Sequence, residues 1–87
     1  FLDLTFKYYF CIEAEDLPGV MTSISSIFSE NKVGIDSIVQ KEELPDNVAP
    51  IVIITDSFNE RNHRELLNNI LNLDSVKNVR SIRIETD

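Results

Sequence analysis

Five consecutive residues, Asp16-Leu17-Pro18-Gly19-Val20, are the part of this sequence best suited to holding a small charged molecule. They stand where an alternating apolar stretch stops and a helical one begins. A helix starting here presents first-turn amides, those of Gly19, Val20 and Met21, that have no partners inside the helix. Reinforced by the helix dipole, such donors suit a carboxylate. Gly19 has no Cβ, so a ligand can approach the backbone closely. Asp16 adds an acceptor for an ammonium group beside those donors. Donors for a carboxylate next to an acceptor for an ammonium complement a free amino acid. The same residues also have a plainer use, in which Asp16 caps its own helix and Pro18 occupies the first helical position.

No other chemistry competes strongly. Nucleophilic catalysis needs a base within hydrogen-bond reach of the nucleophile. The single cysteine, Cys11, falls within an alternating stretch, and the single histidine, His63, lies far along the chain beside the apolar residues Leu66 and Leu67. A lone thiol cannot form an internal disulfide, and it fits a reducing, cytoplasmic setting. Neither residue has neighbours at metal-ligand spacing, so no metal is expected. Gly19 and Gly34 are the two glycines, and neither opens a phosphate-cradling loop. Fifteen acidic against eight basic residues give a net charge of −7, which opposes binding to a phosphate backbone. No apolar run approaches the roughly 20 residues that span a bilayer, so no membrane partner is expected.

The elements that must position the corner can be read from periodicity. Lys7 to Glu15 alternates, with Tyr8, Phe10, Ile12 and Ala14 on one face and Tyr9, Cys11, Glu13 and Glu15 on the other. Val20, Met21, Ile24, Ile27 and Phe28 form one helical stripe, and Asn31 is the expected left-handed residue at its end. Val33 to Glu43 reads as a second, edge strand, with Ile35 and Val39 on one face and Ile38 on the other. Leu44-Pro45-Asp46-Asn47 is turn chemistry. Pro50 opens the run Ile51-Val52-Ile53-Ile54-Thr55, expected to be a central strand buried on both faces. Ser57 and Glu60 fit a capping box ahead of a second helix carrying Leu66, Leu67, Ile70 and Leu71. Val76 to Glu85 closes the order as a fourth strand, with Ile82 and Ile84 on one face and Arg83 and Glu85 on the other.

This order predicts an α+β fold: a ferredoxin-like βαββαβ sandwich, a four-stranded antiparallel sheet with two helices on one face. The first and third strands form its central pair. Tyr9, Cys11, Ile38 and Arg83 are expected on the opposite face, available to a partner. Residues 1–6 read as a linker remnant and 7–87 as one domain, small enough to gain stability by pairing with a copy of itself.

With these residues in view, the sequence resembles the ACT domain, a small regulatory module of amino-acid metabolism. The Asp16-Leu17-Pro18-Gly19-Val20 corner is similar to that family's hallmark loop, and the resemblance extends from about Lys7 to Glu85. Within the family it is most similar to the C-terminal domains of homoserine dehydrogenases. The more specific segments are Ser37-Ile38-Val39-Gln40-Lys41-Glu42 and Ala49-Pro50-Ile51-Val52-Ile53-Ile54-Thr55. The resemblance implies a parent enzyme that reduces aspartate semialdehyde with NAD(P)H. The catalytic domain and its cofactor would lie outside this chain, so no cofactor and no turnover are expected here. It also implies that an amino-acid effector, threonine by preference, binds between two copies in a homodimer or higher homo-oligomer. The residues so implicated are Asp16, Leu17, Gly19, Val20 and Met21 of one copy with Gly34, Ile35 and Asp36 of another. Lys32, Gly34 and Cys11 depart from the family's usual residues, a helix-ending glycine being usual at 32 and a small polar residue at 34. A ligand-independent assembly domain is the alternative role.

Overall fold

A computed structural model describes residues 4–42 and 47–84. Seven elements follow in order: β1 (Thr5–Glu15), α1 (Val20–Glu30), β2 (Ile35–Gln40), β3 (Val48–Thr55), β4 (Phe58–Asn59), α2 (Glu60–Leu71) and β5 (Val76–Ile84). The ferredoxin-like α+β expectation holds. β1 and β3 are the central pair, β2 flanks β3, β5 flanks β1, and all of these pairings are antiparallel. A fifth, two-residue strand is added: β4 pairs Phe58 with Phe6 and Asn59 with Thr5, so β1 starts two residues before the expected Lys7. Of the turn expected at Leu44 to Asn47, only Asn47 lies among the described residues.

One apolar core forms between the helices and a single face of the sheet. Tyr8, Phe10, Ile12 and Ala14 of β1 and Ile51 and Ile53 of β3 meet Val20, Ile24, Ile27 and Phe28 of α1 and Leu66 and Ile70 of α2. Phe10 and Phe28 pack edge to face at 5.4 Å, a favoured arrangement for aromatic quadrupoles. Buried Thr55 is satisfied, its Oγ1 accepting from the Tyr8 amide at 3.0 Å. β3 alternates between buried and half-buried residues instead of being buried on both faces. Both helices cover the same face, so among the described residues no layer covers the other side of even a central strand.

Two strands present their side chains differently from the sequence expectation. The ladder between β1 and β5 shifts between Glu13 and Ala14, which pair with Asn78 and Val76. This bulge lets both Val76 and Val79 reach the core despite their odd spacing. Beyond it, Ile82 is level with Tyr9 on the outer face, and Arg83 is level with Tyr8 on the helix face. Arg83 therefore does not lie on the outer face. Its guanidinium rests 4.4 Å over the Phe6 ring and 3.9 Å from Glu60. A second shift, between Ile35 and Ser37, separates Ile35 from Val39. Ile38 is level with buried Ile53 on the helix side, and Val39 with Val52 on the outer side.

The end of α1 also differs. Asn31 is not left-handed, with φ −89, whereas Lys32 is, with φ 60. The Val33 amide donates to the Phe28 carbonyl and the Lys32 amide to that of Ser29, both at 2.9 Å. These are the two bonds of a Schellman motif, whose left-handed position falls one residue after the helix cap. Val33 is buried in the same core as Phe28, so packing and two hydrogen bonds hold Lys32 where glycine would be less strained.

Candidate functional site

The corner between β1 and α1 is a turn before it is a helix cap. Gly19 has φ 85 and ψ −8, and the Val20 amide donates to the Leu17 carbonyl at 3.3 Å. With Pro18 and Gly19 at its centre, this is a type II turn, which needs a positive φ at its third residue. α1 then begins at Val20 with Gly19 as its N-cap. Pro18 is therefore not the first helical residue, and Asp16 does not cap the helix. No side chain caps α1, and no acidic residue stands in its first turn. The Pro-Gly pair decides this, because its turn places Asp16 three residues before the cap position.

Asp16, Leu17, Pro18 and Gly19 are all exposed, Leu17 by 52%. A Cβ at Gly19 would meet nothing within 4 Å, so its conformation, and not crowding, requires glycine. Val20 and Met21 turn their side chains to the core, leaving only backbone to offer a ligand. The Val20 amide is already engaged by Leu17, so it is not the free donor expected. Gln40, at the end of β2, approaches Asp16 with Nε2 3.5 Å from Oδ1, a distance at the outer limit of a hydrogen bond. Sequence reasoning missed Gln40, because only the crossover through α1, after which β2 runs in the same direction as β1 two strands away, brings its end to the corner's end of the sheet.

The second group of residues lies elsewhere. Ile35 is level with Thr55, whose hydroxyl bonds the Tyr8 amide, and Lys7 Nζ is 4.0 Å from Asp36 Oδ2. Gly34 to Asp36 thus sit beside the start of β1 and the corner beyond its end, roughly 25 Å apart along the strand. One chain cannot close both groups around one small molecule. Gly34 offers no side chain, and a Cβ there would lie 2.5 Å from Oδ2 of the exposed Asp56, so a larger residue would require that carboxylate to turn aside. The Asp56 amide also donates to the Gly34 carbonyl at 2.9 Å. Asp56 therefore adds a polar side chain beside Asp36 at this end, another residue that no sequence signal singled out.

His63 is structural. Its ring stacks on Tyr8 at 4.2 Å and Nε2 is 2.7 Å from Ser81 Oγ. Burial lowers its pKa, partly offset by Glu60. Among the described residues, no group of His, Cys, Asp and Glu side chains could hold a metal ion, and no helix is long and apolar enough to cross a membrane.

No protein-family model matches the chain. Over 85 residues, 97% of its length, it is 32% identical to a homoserine dehydrogenase of Neisseria gonorrhoeae, covering 20% of that protein. It is 35% identical over 80 residues to the Pseudomonas aeruginosa enzyme, covering 90% of this chain and 18% of the relative. Among solved structures, a homoserine dehydrogenase from Thiobacillus denitrificans superimposes with a TM-score of 0.84 at 30% identity, covering 95% of this chain and 18% of that one. The ACT domain from the GTP pyrophosphokinase of Chlorobium tepidum matches with a TM-score of 0.74 at 19% identity, over 91% of this chain and 100% of that one. The fold is that of an ACT-like domain, with a Pro-Gly corner at the entrance to its first helix. Its sequence places it with the domain of this kind in homoserine dehydrogenases, although it spans only about a fifth of the curated relatives it matches.

Proposed function

We propose that the chain is the C-terminal regulatory domain of a homoserine dehydrogenase and binds an amino-acid effector, threonine by preference, between two copies. One observation carries the reading: the entrance to α1 is exposed, uncapped by any side chain and free of acidic residues in its first turn. Helix ends left in this way favour an anion. The effector's carboxylate would meet the Gly19 and Met21 amides, and its ammonium would meet Asp16, with Leu17 covering its aliphatic part. Gly34, Ile35 and Asp36 of a second copy would complete the site, with Asp56 supplying the polar side chain that Gly34 lacks. Two copies are needed because these groups are far apart within one chain. Effector binding that favours one arrangement of copies would bias attached catalytic domains, a coupling that must be reciprocal.

The dehydrogenase chemistry, the NAD(P) cofactor and the cytoplasmic setting belong to the parent in this proposal. The residues here do not fit a dinucleotide, since neither glycine sits in a phosphate-binding loop.

Thermal unfolding of the chain with each amino acid in turn tests the reading. A ligand at 100 times its dissociation constant adds about 2.7 kcal/mol. Threonine is expected to raise the unfolding temperature, and Gly19→Val to abolish the response. Unfolding indifferent to every amino acid would leave the assembly role, which the apolar outer face of the sheet favours.

A further inference from the structure

The carboxylate of Asp56 lies across Gly34. Its Oδ2 would be 2.5 Å and its Cγ 3.3 Å from a Cβ at position 34, so it stands in the space that a side chain there would take. The backbone fixes this approach, because the Asp56 amide donates to the Gly34 carbonyl at 2.9 Å. Gly34 does not have a positive φ, so its conformation does not demand glycine. Positions 34 and 56 therefore compete for one volume at this end of the sheet. In this chain the polar group that fills it comes from the end of β3 instead of the start of β2.

That exchange changes the chemistry of the group as well as its origin. A small neutral side chain at 34, such as serine, donates and accepts, whereas a carboxylate only accepts. Asp36, the neighbouring carboxylate, has Lys7 Nζ 4.0 Å away. Asp56 is exposed, and its side chain has no hydrogen bond or ion pair among the described residues. It is the acceptor left open to a ligand. Whatever covers it must bring a donor, since a carboxylate taken out of water without a partner is costly.

We propose that Asp56 selects the effector by its side chain, accepting a hydrogen bond from a hydroxyl-bearing amino acid and rejecting the isostere that carries a methyl group instead. This rests on the effector reading, in which Gly34 to Asp36 of one copy close over the corner of another. Asp16 takes the ammonium group there and the first-turn amides take the carboxylate, so the side chain is the part of the ligand left for Asp56. Threonine and valine have nearly the same shape, so apolar contact with Leu17 does not separate them, and an acceptor does. The same carboxylate repels an acidic side chain.

Calorimetric titration of the chain with threonine and with valine tests the proposal. Threonine should bind at least about tenfold more tightly than valine. Asp56 is exposed, and Asp56→Ala keeps the backbone bond to Gly34, so the fold should survive while that ratio is largely erased. Asp56→Asn, whose amide oxygen still accepts, should keep most of it. Gly34→Ser combined with Asp56→Ala should restore it, because the hydroxyl then occupies the vacated space. A merely structural role for Asp56 would weaken both ligands alike and leave the ratio unchanged. A ratio that survives Asp56→Ala, or a double variant no more selective than Asp56→Ala alone, would overturn the proposal and leave the effector reading intact. A chain that binds neither amino acid would overturn that reading, and this proposal with it.

Discussion

The two helices enter the fold in opposite ways. α2 is closed at its start: the Asn59 side chain accepts from the Arg61 amide at 2.7 Å, Glu60 places a carboxylate in the first turn, and the Glu60 amide donates to the Leu4 carbonyl. His63, one turn in, is stacked onto Tyr8. α1 starts from a glycine in a left-handed conformation, with no side-chain cap and no acid. A helix whose only task is to pack benefits from the first arrangement, since a cap is worth about 1 kcal/mol. Leaving that stabilisation unused at α1, beside a carboxylate that does not cap, is what a binding corner requires. The contrast teaches that the chemistry of a helix start is read from what satisfies its amides, and less from which polar residues precede it.

Changes at the two starts should separate them. The largest effect is expected for Gly19→Val, because a β-branched residue at φ 85 is strained although space is open. We expect a loss of about 2 kcal/mol in denaturant unfolding, together with the loss of any amino-acid response. Asn59→Ala should cost about 1 kcal/mol through the lost cap and leave that response intact. If both substitutions affected the response equally, the contrast between the helix starts would be broken. Thr22→Glu, which gives the first turn of α1 the acid that α2 already has, should stabilise the chain by about 0.5 kcal/mol. It should also weaken amino-acid binding in calorimetry, since the new carboxylate competes for the same donors.

The smallest effect concerns pH. His63 has its folded pKa lowered from 6.5, first by burial, and a proton near a helix N-terminus is further disfavoured. The unfolded chain then binds more protons at this residue than the folded one. Its contribution to stability is complete above pH 6.5 and is lost as pH falls through the folded value. Denaturant midpoints measured from pH 7 to 5 should fall less steeply for His63→Gln than for the parent chain. Equal slopes would show that His63 is not held neutral by its packing.

Much of the architecture was legible because burial imposes a period. Alternation in Tyr8 to Ala14 and the 3.6-residue stripe from Val20 to Phe28 each named the face that reaches the core. The capping box at Ser57 and Glu60 was misread for a tertiary reason. Pairing of Phe58 and Asn59 with β1 keeps the chain extended for two more residues, and the cap passes from Ser57 to Asn59. The corner at residues 16–20 was found from its residue types, but its Pro-Gly turn, and so the true cap, depended on a backbone geometry that more than one helix start could satisfy.

The sequence by itself determined the order of the two helices and four long strands, the inner faces of β1 and α1, and the location of the exposed corner, because these follow from local periodicity and turn chemistry; of the stripe expected on α2, Leu66, Leu67 and Ile70 reach the core and Leu71 is 51% exposed. Only the tertiary structure decided which side of β5 and β2 faces the helices, because a one-residue bulge inverts every side chain beyond it. It also set Gln40 beside Asp16 and Asp56 over Gly34, and it separated the two halves of the site by the length of a strand. Those relations join residues far apart in the chain, and they exist only once the ladders have fixed their register.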